Sequence, residues 1–192
     1  MNIYYINQEL KYAREDFESF VNSFQNKVNF NPLDPESYKY WNTFIDHVCN
    51  SFNKVENLNK TSKGEFRKVV GEAINLKRTD PLLLYVRECR NAYQHSNQEM
   101  CTMEIISNIP VDTFELTRLD TDENGNEYPV ETTTHNLYPS AILLKTVVNR
   151  GVAYIPPGYH LGNRLKKYRD PIEVGLLTIK YYEGLYNQLE NL

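Results

Sequence analysis

The sequence predicts a mainly α fold: an antiparallel helical bundle formed by residues 1–99 and 170–192, with an inserted segment rich in β-hairpins at residues 100–169. Three observations support this prediction. Apolar residues recur at helical spacing in five segments. An Asp-Pro pair, which combines a capping side chain with a first-turn proline, begins three of these segments. After Met100, β-branched runs and turn residues replace the helical period.

The first two helices are predicted on either side of a proline-containing break. From Gln8 to Val28 the apolar stripe consists of Leu10, Ala13, Phe17, Phe20, Val21, Phe24 and Val28. The segment Asn29–Pro32 ends this helix, because the residue before a proline avoids the helical region. Asp34-Pro35 then begins a second helix, whose apolar stripe is Tyr38, Trp41, Ile45, Val48, Phe52 and Val55, with Phe44 beside it.

The third and fourth helices are predicted to follow after short connections. Thr61 or Ser62 is the predicted cap of the third helix, with Glu65 placed for a capping box. This helix is expected to bury Phe66, Val69, Val70, Ala73 and Ile74. Asp80-Pro81 begins the fourth, for which the predicted core stripe is Leu82, Val86, Cys89, Tyr93 and Ser96. Its opposite face carries Leu84, Arg87, Asn91 and His95, which predicts a second partner such as a ligand or another subunit.

Residues 101–162 show hairpin signals in place of helical periodicity. Phe114–Arg118 and Tyr128–Thr134 flank an Asn124-Gly125 pair, which is a strong hairpin signal. Ala141–Val148 and Gly151–Ile155 are predicted to form a second pair that turns at residues 149–151. Asp170-Pro171 then begins a closing helix, with Ile172, Leu176, Ile179, Tyr182, Tyr186 and Leu189 as its apolar residues.

Composition narrows the function classes. A net charge of −4 argues against a broadly basic nucleic-acid surface, although local basic patches remain compatible with it. The three cysteines lack metal-ligand spacing and are expected to be reduced, buried thiols. The N-terminus has no signal-peptide pattern, and no apolar run reaches membrane-spanning length. We therefore expect a cytoplasmic protein without a membrane span, a metal or a cofactor.

The strongest candidate site is the hexapeptide Arg90–His95, which reads RNAYQH and lies near the end of the fourth helix. The non-functional interpretation is that these residues are a surface arginine and a histidine near a helix C-terminus. The pattern Arg-Asn-x-x-x-His on a late bundle helix also resembles the signature of the HEPN superfamily. Arg90, Asn91 and His95 match that signature. The resemblance covers the helices at 8–97, leaves open whether it extends to the closing helix at 171–189, and does not explain residues 101–162.

The resemblance implies a metal-independent endoribonuclease that works as a homodimer, of a kind found in defence and toxin–antitoxin systems. His95 would take the 2′-hydroxyl proton. Arg90 would stabilise charge on the phosphate, and Asn91 would position the imidazole or a phosphate oxygen. Arg90 and His95 lie about 140° apart around the helix, so a second copy is expected to complete the site. One HEPN branch has a tyrosine two residues after the histidine, where this chain has Asn97.

A basic loop after the hairpins is the second candidate. The predicted RNA-binding residues are His160, Arg164, Lys166, Lys167 and Arg169, together with Arg87 on the fourth helix. Cations interleaved with aromatic side chains can bind phosphates and stack on bases. A solvated basic loop is the more common reason for such a run.

A third pattern, Asp120–Glu131, satisfies the spacing of an EF-hand loop. An EF-hand requires a helix on each side, and the flanking sequences ELTRL and TTTHN do not predict helices. A hairpin turn explains the same residues, because Asn-Gly permits positive φ.

Two rivals to the ribonuclease hypothesis stay open at the level of sequence. One is a non-catalytic HEPN-like module that binds RNA, a nucleotide or a protein partner such as an antitoxin. The other is a structural bundle in which Arg90 and His95 are incidental. The oligomer separates these hypotheses. A His95 that points to solvent in a monomer favours the structural bundle, and a His95 that faces its mate across a two-fold cleft without cleavage of RNA favours the binding module.

Overall fold

The structure is a computed structural model that describes residues 4–25, 35–105, 107, 112–122, 125–137 and 140–192. The predicted helix stop at residues 29–32 and the predicted cap Asp34 lie outside these residues. The chain divides into two compact units. The first contains Met1–Thr102 and Leu143–Leu192, and the second contains Met103–Ile142.

Residues 143–169, which we predicted to belong to the inserted segment, cluster with the helices. The Leu144 amide donates to the Arg169 carbonyl at 2.8 Å, and the Lys145 amide donates to the Met100 carbonyl at 2.8 Å. The Tyr85 hydroxyl donates to the Lys145 carbonyl at 2.6 Å. These bonds connect residues 143–169 to the helical unit. The second unit, Met103–Ile142, is therefore shorter than the insertion predicted at residues 100–169.

The described residues form five helices, which confirm the mainly α prediction: α1 (Tyr4–Gln25), α2 (Pro35–Asn59), α3 (Gly64–Thr79), α4 (Pro81–Ser96) and α5 (Pro171–Glu190). The Asp80 and Asp170 caps are also confirmed. Asp80 Oδ1 accepts hydrogen bonds from the Leu82 and Leu83 amides at 3.1 and 3.0 Å. Asp170 Oδ1 accepts one from the Ile172 amide at 2.8 Å. Each carboxylate satisfies amides that have no partner inside the helix.

The predicted capping box of α3 is wrong. The N-cap is Lys63, which makes no side-chain capping bond. The Ser62 and Thr61 hydroxyls donate instead to the Leu58 carbonyl, at 2.8 and 3.2 Å. Short hydroxyl side chains bond to a preceding carbonyl as readily as to a following amide, and here they satisfy the end of α2.

The core of the helical unit is built around aromatic side chains. Trp41 lies with its ring centroid 5.1 Å from that of Phe20 and 5.3 Å from that of Phe44. Phe17 lies 5.2 Å from Phe44 by the same measure. These rings are almost fully buried. They confirm most of the predicted stripes of the first two helices, although Val21 and Tyr38 are only half-buried.

Three predicted core stripes need correction. On α3, Phe66 and Ile74 are only half-buried, and the buried residues are Val69, Val70, Ala73 and Lys77. Leu176 on α5 is 56% exposed, because it lies roughly 130° around the helix from the centre of the buried stripe. On α4, Ser96 is exposed and Tyr93 is only half-buried. The buried residues of α4 are Leu82, Leu83, Tyr85, Val86, Glu88, Cys89 and Ala92. They extend around the helix because α4 contacts both helices and strands.

The described strands form four two-stranded sheets. β1 (Cys101–Ile105) pairs with β4 (Ser140–Leu144), β2 (Asp112–Thr121) with β3 (Glu127–Leu137), β5 (Val147–Asn149) with β6 (Val152–Tyr154), and β7 (Tyr159–His160) with β8 (Asn163–Arg164). The predicted strand 141–148 is therefore two strands with different partners.

Both predicted hairpins are present. β2 and β3 are antiparallel, with a register irregularity between Arg118 and Leu119. Because strands flank the Asp120–Glu131 pattern where an EF-hand needs helices, the hairpin interpretation holds there. In the β5–β6 hairpin, Arg150 and Gly151 have φ values of 51° and 79°. Two successive positive φ angles are typical of the tight turns that match the twist of a hairpin.

Candidate functional site between α4 and the β5–β6 hairpin

The polar face of α4 lies against the β5–β6 hairpin of the same chain. The Gln98 side chain forms two hydrogen bonds with Val148: its Nε2 donates to the carbonyl at 2.6 Å, and its Oε1 accepts from the amide at 2.8 Å. Asn149 Nδ2 donates to Glu88 Oε2 at 2.6 Å. The face for which the sequence predicts a ligand or another subunit is therefore partly covered by a hairpin of the same chain.

A pocket of about 350 Å³ lies between the two elements. We call it the α4–hairpin pocket. It is lined by Arg87, Glu88, Asn91, His95, Asn149, Arg150, Val152 and Tyr154. Three of the predicted site residues, Arg87, Asn91 and His95, thus border one pocket. Their spacing of four residues places them on one face of the helix.

Glu88 is the buried anion of this pocket, with 4% of its surface exposed. Burial by itself raises the pKa of Glu88, but hydrogen bonds from Asn149, Arg87 and Asn91 more than offset burial and lower it. Arg87 Nε donates to Glu88 Oε1 at 2.7 Å, and Arg87 Nη2 forms an ion pair with the same oxygen at 2.5 Å. The carboxylate is therefore ionised at neutral pH and neutralises much of the charge of Arg87.

Asn91 has a different partner from the predicted one. Its Nδ2 donates to Glu88 Oε2 at 3.2 Å, whereas we expected the amide to hold His95 or a phosphate oxygen. Glu88 attracts the amide because an ionised acceptor makes a stronger hydrogen bond than a neutral one. Within the single chain, Asn91 organises the base of the pocket.

Arg90 lies on another side of α4 and contacts α2. Its Nε donates to Asp46 Oδ1 at 3.2 Å, and its Nη2 donates to Asn50 Oδ1 at 3.1 Å. Gln94 Nε2 also donates to Asp46 Oδ1, at 3.0 Å. The structure therefore does not bring Arg90 and His95 together within one chain, as their angular separation on the helix predicts.

His95 is exposed in the last turn of α4. The helix ends directly after it, at Asn97, which has a left-handed conformation with φ of 50°. The Asn97 amide donates to the Tyr93 carbonyl at 2.9 Å. This left-handed cap turns the chain away from the helix axis and leaves the imidazole accessible at the edge of the pocket.

The predicted basic loop lies at the opposite end of α4. His160 Nδ1 is 3.0 Å from Asp80 Oδ1, at the first residue before the helix. Asp80 and His95 are separated along the helix axis by roughly 22 Å. His160 is also buried, so its imidazole is not accessible to RNA.

The other basic-loop residues differ in exposure. Arg164 and Lys166 are exposed, and neither has an ion-pair partner among the described residues. Lys167 is exposed, with its Nζ 3.7 Å from Asp170 Oδ2. Arg169 is half-buried and donates through Nε to the Leu144 carbonyl at 2.7 Å. Arg164, Lys166 and Lys167 are thus the cations of this loop that face solvent.

Sequence reasoning missed Glu88, Asn149 and Arg150. Glu88 had a usable signal, since it precedes Asn91 by three residues and His95 by seven and therefore shares their face of the helix. Asn149 and Arg150 carry no such signal. They reach the pocket only because the hairpin packs on α4.

The described part of the chain holds no metal-ligand cluster, and its thiols are buried. No cluster of three or more His, Cys, Asp or Glu side chains placed to hold a metal ion occurs among those residues. Cys49, Cys89 and Cys101 are buried thiols. Burial raises the pKa of Cys49 to about 11, and it raises that of Cys89 and Cys101 as well. The thiols therefore stay protonated and act as core side chains.

Comparison with protein-family models, with curated proteins and with solved structures finds no match to this chain. Among the helices that the structure describes, none has the length and apolar character needed to cross a membrane.

Proposed function

We propose that this protein is a metal-independent endoribonuclease that uses His95 at the edge of the α4–hairpin pocket. The observation that supports this most directly is the position of an exposed imidazole beside a pocket that also contains Arg87, Asn91 and Arg150. Imidazole is a general base at neutral pH, and guanidinium groups are suited to phosphate. The resemblance of Arg90–His95 to the HEPN signature points to the same chemistry.

The proposed reaction is an internal transesterification of RNA. His95 accepts the proton of a 2′-hydroxyl, and the 2′ oxygen attacks the adjacent phosphorus. The bond from phosphorus to the 5′ oxygen breaks, and that oxygen takes up a proton. The products are a 2′,3′-cyclic phosphate and a 5′-hydroxyl, so the step requires no metal or water as nucleophile.

Arg150 is the cation best placed to stabilise the phosphate in this proposal. It lines the pocket, is exposed, and has no ion-pair partner among the described residues. Arg87 also lines the pocket, but its guanidinium is already hydrogen bonded to Glu88 and ion-paired with it. We therefore propose that Arg150 provides most of the stabilisation of the negative charge that develops on the phosphate. Arg87 provides a smaller part of this stabilisation.

We propose a homodimer as the active form. A single chain supplies one imidazole to the pocket, whereas the reaction needs both the removal and the return of a proton. His95 is exposed at the end of α4, so a two-fold pairing of this region brings a second imidazole to the same cleft. Sedimentation of wild-type protein and of a His95→Glu variant would test this arrangement.

One observation favours a second candidate function, a non-catalytic HEPN-like module that binds RNA, a nucleotide or a protein partner. Arg90, the arginine of the signature, is held by Asp46 and Asn50 of α2. In this arrangement its charge is balanced inside the chain and is not directed at a substrate. Such a protein would bind through the α4–hairpin pocket without cleaving.

The deciding experiment measures cleavage of a mixed single-stranded RNA by purified protein in the presence of EDTA. We expect cyclic-phosphate products from wild-type protein and a loss of about 100-fold or more in the His95→Ala variant. The matched control is Ser96→Ala, which changes an exposed neighbour in the same helical turn. Arg150→Gln should reduce cleavage, and Arg118→Gln, an exposed arginine in the other unit, should not.

The results separate the two candidates. RNA that binds without cleavage, with affinity lost in Arg150→Gln and kept in Arg118→Gln, would favour the binding module. Equal cleavage by wild-type protein and His95→Ala would exclude His95 as the base. Absence of both binding and cleavage would remove RNA as the ligand of this pocket.

The biological setting rests on the resemblance. We propose a cytoplasmic role in defence or in a toxin–antitoxin pair, in which an antitoxin or other partner protein restrains the nuclease. Expression of the wild-type chain in bacterial cells should then arrest growth, and the His95→Ala variant should be tolerated at the same protein level. Equal toxicity of the two variants would contradict this setting.

A further inference from the structure

A second cavity, of about 570 Å³, lies between α3, α5 and the β7–β8 turn. We call it the α3–α5 cavity. Its volume falls within the range of roughly 300–1,000 Å³ that is typical of small-molecule sites. It belongs to the helical unit and shares no lining residue with the α4–hairpin pocket.

The walls of the α3–α5 cavity are mainly aliphatic. They are formed by Val69, Ala73 and Leu76 of α3, by Leu177 and Leu185 of α5, and by Leu165 after β8. Four of these six side chains are buried and the other two are half-buried. Such walls favour an apolar group, because its transfer from water gains roughly 25 cal/mol for each Å² that is buried.

Three exposed cations belong to the lining of the cavity. Arg164, Lys166 and Lys180 line it and are exposed. None of the three has an ion-pair partner within the described ranges. This concentration of positive charge is notable in a chain whose net charge is −4.

Two carboxylates also line the cavity, but one of them is already hydrogen bonded. Glu173 accepts the Lys166 amide through Oε1 at 2.8 Å and the Lys167 amide through Oε2 at 2.6 Å. It also lies in the first turn of α5, where the helix dipole favours a negative charge. Glu72 is exposed. The three cations therefore exceed the carboxylates that oppose them.

Tyr181 adds a hydroxyl group to the lining. Burial, together with the nearby carboxylate of Asp80, raises the pKa of Tyr181 to about 12. The hydroxyl thus stays protonated at neutral pH and can donate a hydrogen bond. Its ring packs edge-on against His160 at a centroid distance of 5.9 Å.

The loop that closes the cavity is fixed by hydrogen bonds, one to the start of α4 and one within the loop itself. The Leu161 amide donates to Asp80 Oδ2 at 2.6 Å, and the Leu165 amide donates to the Gly158 carbonyl at 2.9 Å. Leu161 and Gly162 turn the chain with φ values of 48° and 78°. A site held in this way loses little conformational entropy when a ligand binds.

From the aliphatic walls, the unpaired cations and the available hydroxyl, we infer that the α3–α5 cavity binds a small amphipathic anion. The ligand has an apolar body that fits among the leucines and a single carboxylate, phosphate or sulfonate group that contacts Arg164, Lys166 and Lys180. This site goes beyond the proposed ribonuclease function and does not depend on it.

The structure provides a variant that fills the cavity without a backbone clash. Gly184 lines the cavity, and a Cβ added there meets no atom within 4 Å. We therefore expect Gly184→Phe to fold and to block the site. The matched control is Gly71→Phe on α3, where an added Cβ also meets nothing within 4 Å and the residue does not line the cavity.

The probes are 8-anilinonaphthalene-1-sulfonate, followed by its fluorescence, and decanoate, followed by calorimetry. Gly184→Phe should weaken the binding of both probes by about tenfold or more, and Gly71→Phe should leave their binding unchanged. Undiminished binding by a folded Gly184→Phe protein, or an equal loss in both variants, would overturn the proposed location.

The anionic part of the proposal has its own test. Replacing both Arg164 and Lys180 with Gln should weaken the binding of decanoate by about tenfold or more, because the carboxylate loses two cations that can form charge-assisted hydrogen bonds with it. The same double change at Lys63 and Lys68, exposed cations of the α3 region that do not line the cavity, is the control. Decanol that binds as tightly as decanoate, or equal loss in both double variants, would overturn the role of the anion.

Discussion

His160 Nδ1 lies 3.0 Å from Asp80 Oδ1, and this buried contact joins the start of α4 to the β7–β8 turn. The same carboxylate caps α4 through the Leu82 and Leu83 amides and accepts the Leu161 amide. One side chain thus satisfies groups from two segments that are 80 residues apart in sequence. It also fixes the loop that closes the α3–α5 cavity.

Replacement of Asp80 should therefore cost more than the loss of an ordinary cap. We expect Asp80→Ala to lower the free energy of unfolding by about 2–4 kcal/mol, since it removes a cap and leaves buried donors without a partner. Asp170→Ala is the matched control, because Asp170 also caps a helix before a proline. It should lose about 1 kcal/mol. Urea denaturation measures both values, and equal losses would contradict the double role of Asp80.

Acid should destabilise the protein through carboxylates whose pKa is lowered. Burial raises the pKa of Asp80, but hydrogen bonds from His160, Leu161 and Leu83 lower it below the ordinary 3.8. Burial likewise raises the pKa of Glu88, and its hydrogen bonds lower it below the ordinary 4.5. Each contribution to stability is complete above the unfolded pKa and is lost as the pH falls through the folded pKa.

We therefore expect the urea midpoint to be nearly constant from pH 7 to about 5 and to fall below about pH 4.5. Asp80→Asn and Glu88→Gln should each make this decrease shallower, because the substituted group no longer takes up a proton on unfolding. The exposed Glu65→Gln is the control. A decrease of unchanged steepness in both site variants would show that other groups cause the acid sensitivity.

Gly175 is expected to be intolerant of any side chain. A Cβ at this position would lie 2.1 Å from Phe17 Cε2, and Phe17 is held by its packing against Phe44. Alanine in a helix interior normally stabilises relative to glycine by about 0.5–1 kcal/mol. Here the clash should dominate, so Gly175→Ala should lose about 1–3 kcal/mol.

The control for this prediction lies on the same helix. Gly184 has open space around its Cβ position, so Gly184→Ala should gain the normal stabilisation of about 0.5–1 kcal/mol. Thermal unfolding of the two variants should thus shift in opposite directions. A stabilised Gly175→Ala protein would mean that α1 and α5 do not approach closely at Phe17.

Glu88 should limit the affinity of the α4–hairpin pocket for phosphates. Glu88→Gln removes a buried negative charge and releases Arg87 from a close ion pair. If RNA binds there, its affinity should increase by about threefold to tenfold, which corresponds to roughly 1 kcal/mol of charge repulsion. Fluorescence anisotropy with a labelled RNA at fixed salt measures this change, with Glu65→Gln as control. Unchanged or weaker binding would place the RNA elsewhere.

Local sequence signals predicted much of the fold. The Asp80 and Asp170 caps, the helical spacing of apolar residues and the Asn-Gly turn act over a few residues, so they can be recognised without knowledge of the tertiary structure. The same local rules failed where two local structures compete. The hydroxyls of Thr61 and Ser62 could serve either helix, and they bond to the end of α2.

Of the candidate site, only the part formed by α4 could be predicted from the sequence. The helical period placed Arg87, Asn91 and His95 on one face of α4, and all three line the α4–hairpin pocket. It could not show that Arg90 would be bound by Asp46, which is 44 residues away in sequence. Nor could it show that His160, part of a basic run, would be buried against Asp80. A run of charges indicates exposure only on average, and packing decides each side chain.

The sequence by itself thus determined where the helices and hairpins form and which side chains share a face of α4, because these properties depend on backbone preferences and on periodicity. Only the tertiary structure decided the partners of those side chains. Asn149 meets Glu88 across 61 residues of sequence, and Arg150 reaches the pocket with it, because the hairpin packs on α4. Contacts of this kind depend on the packing of whole elements, which no local pattern records.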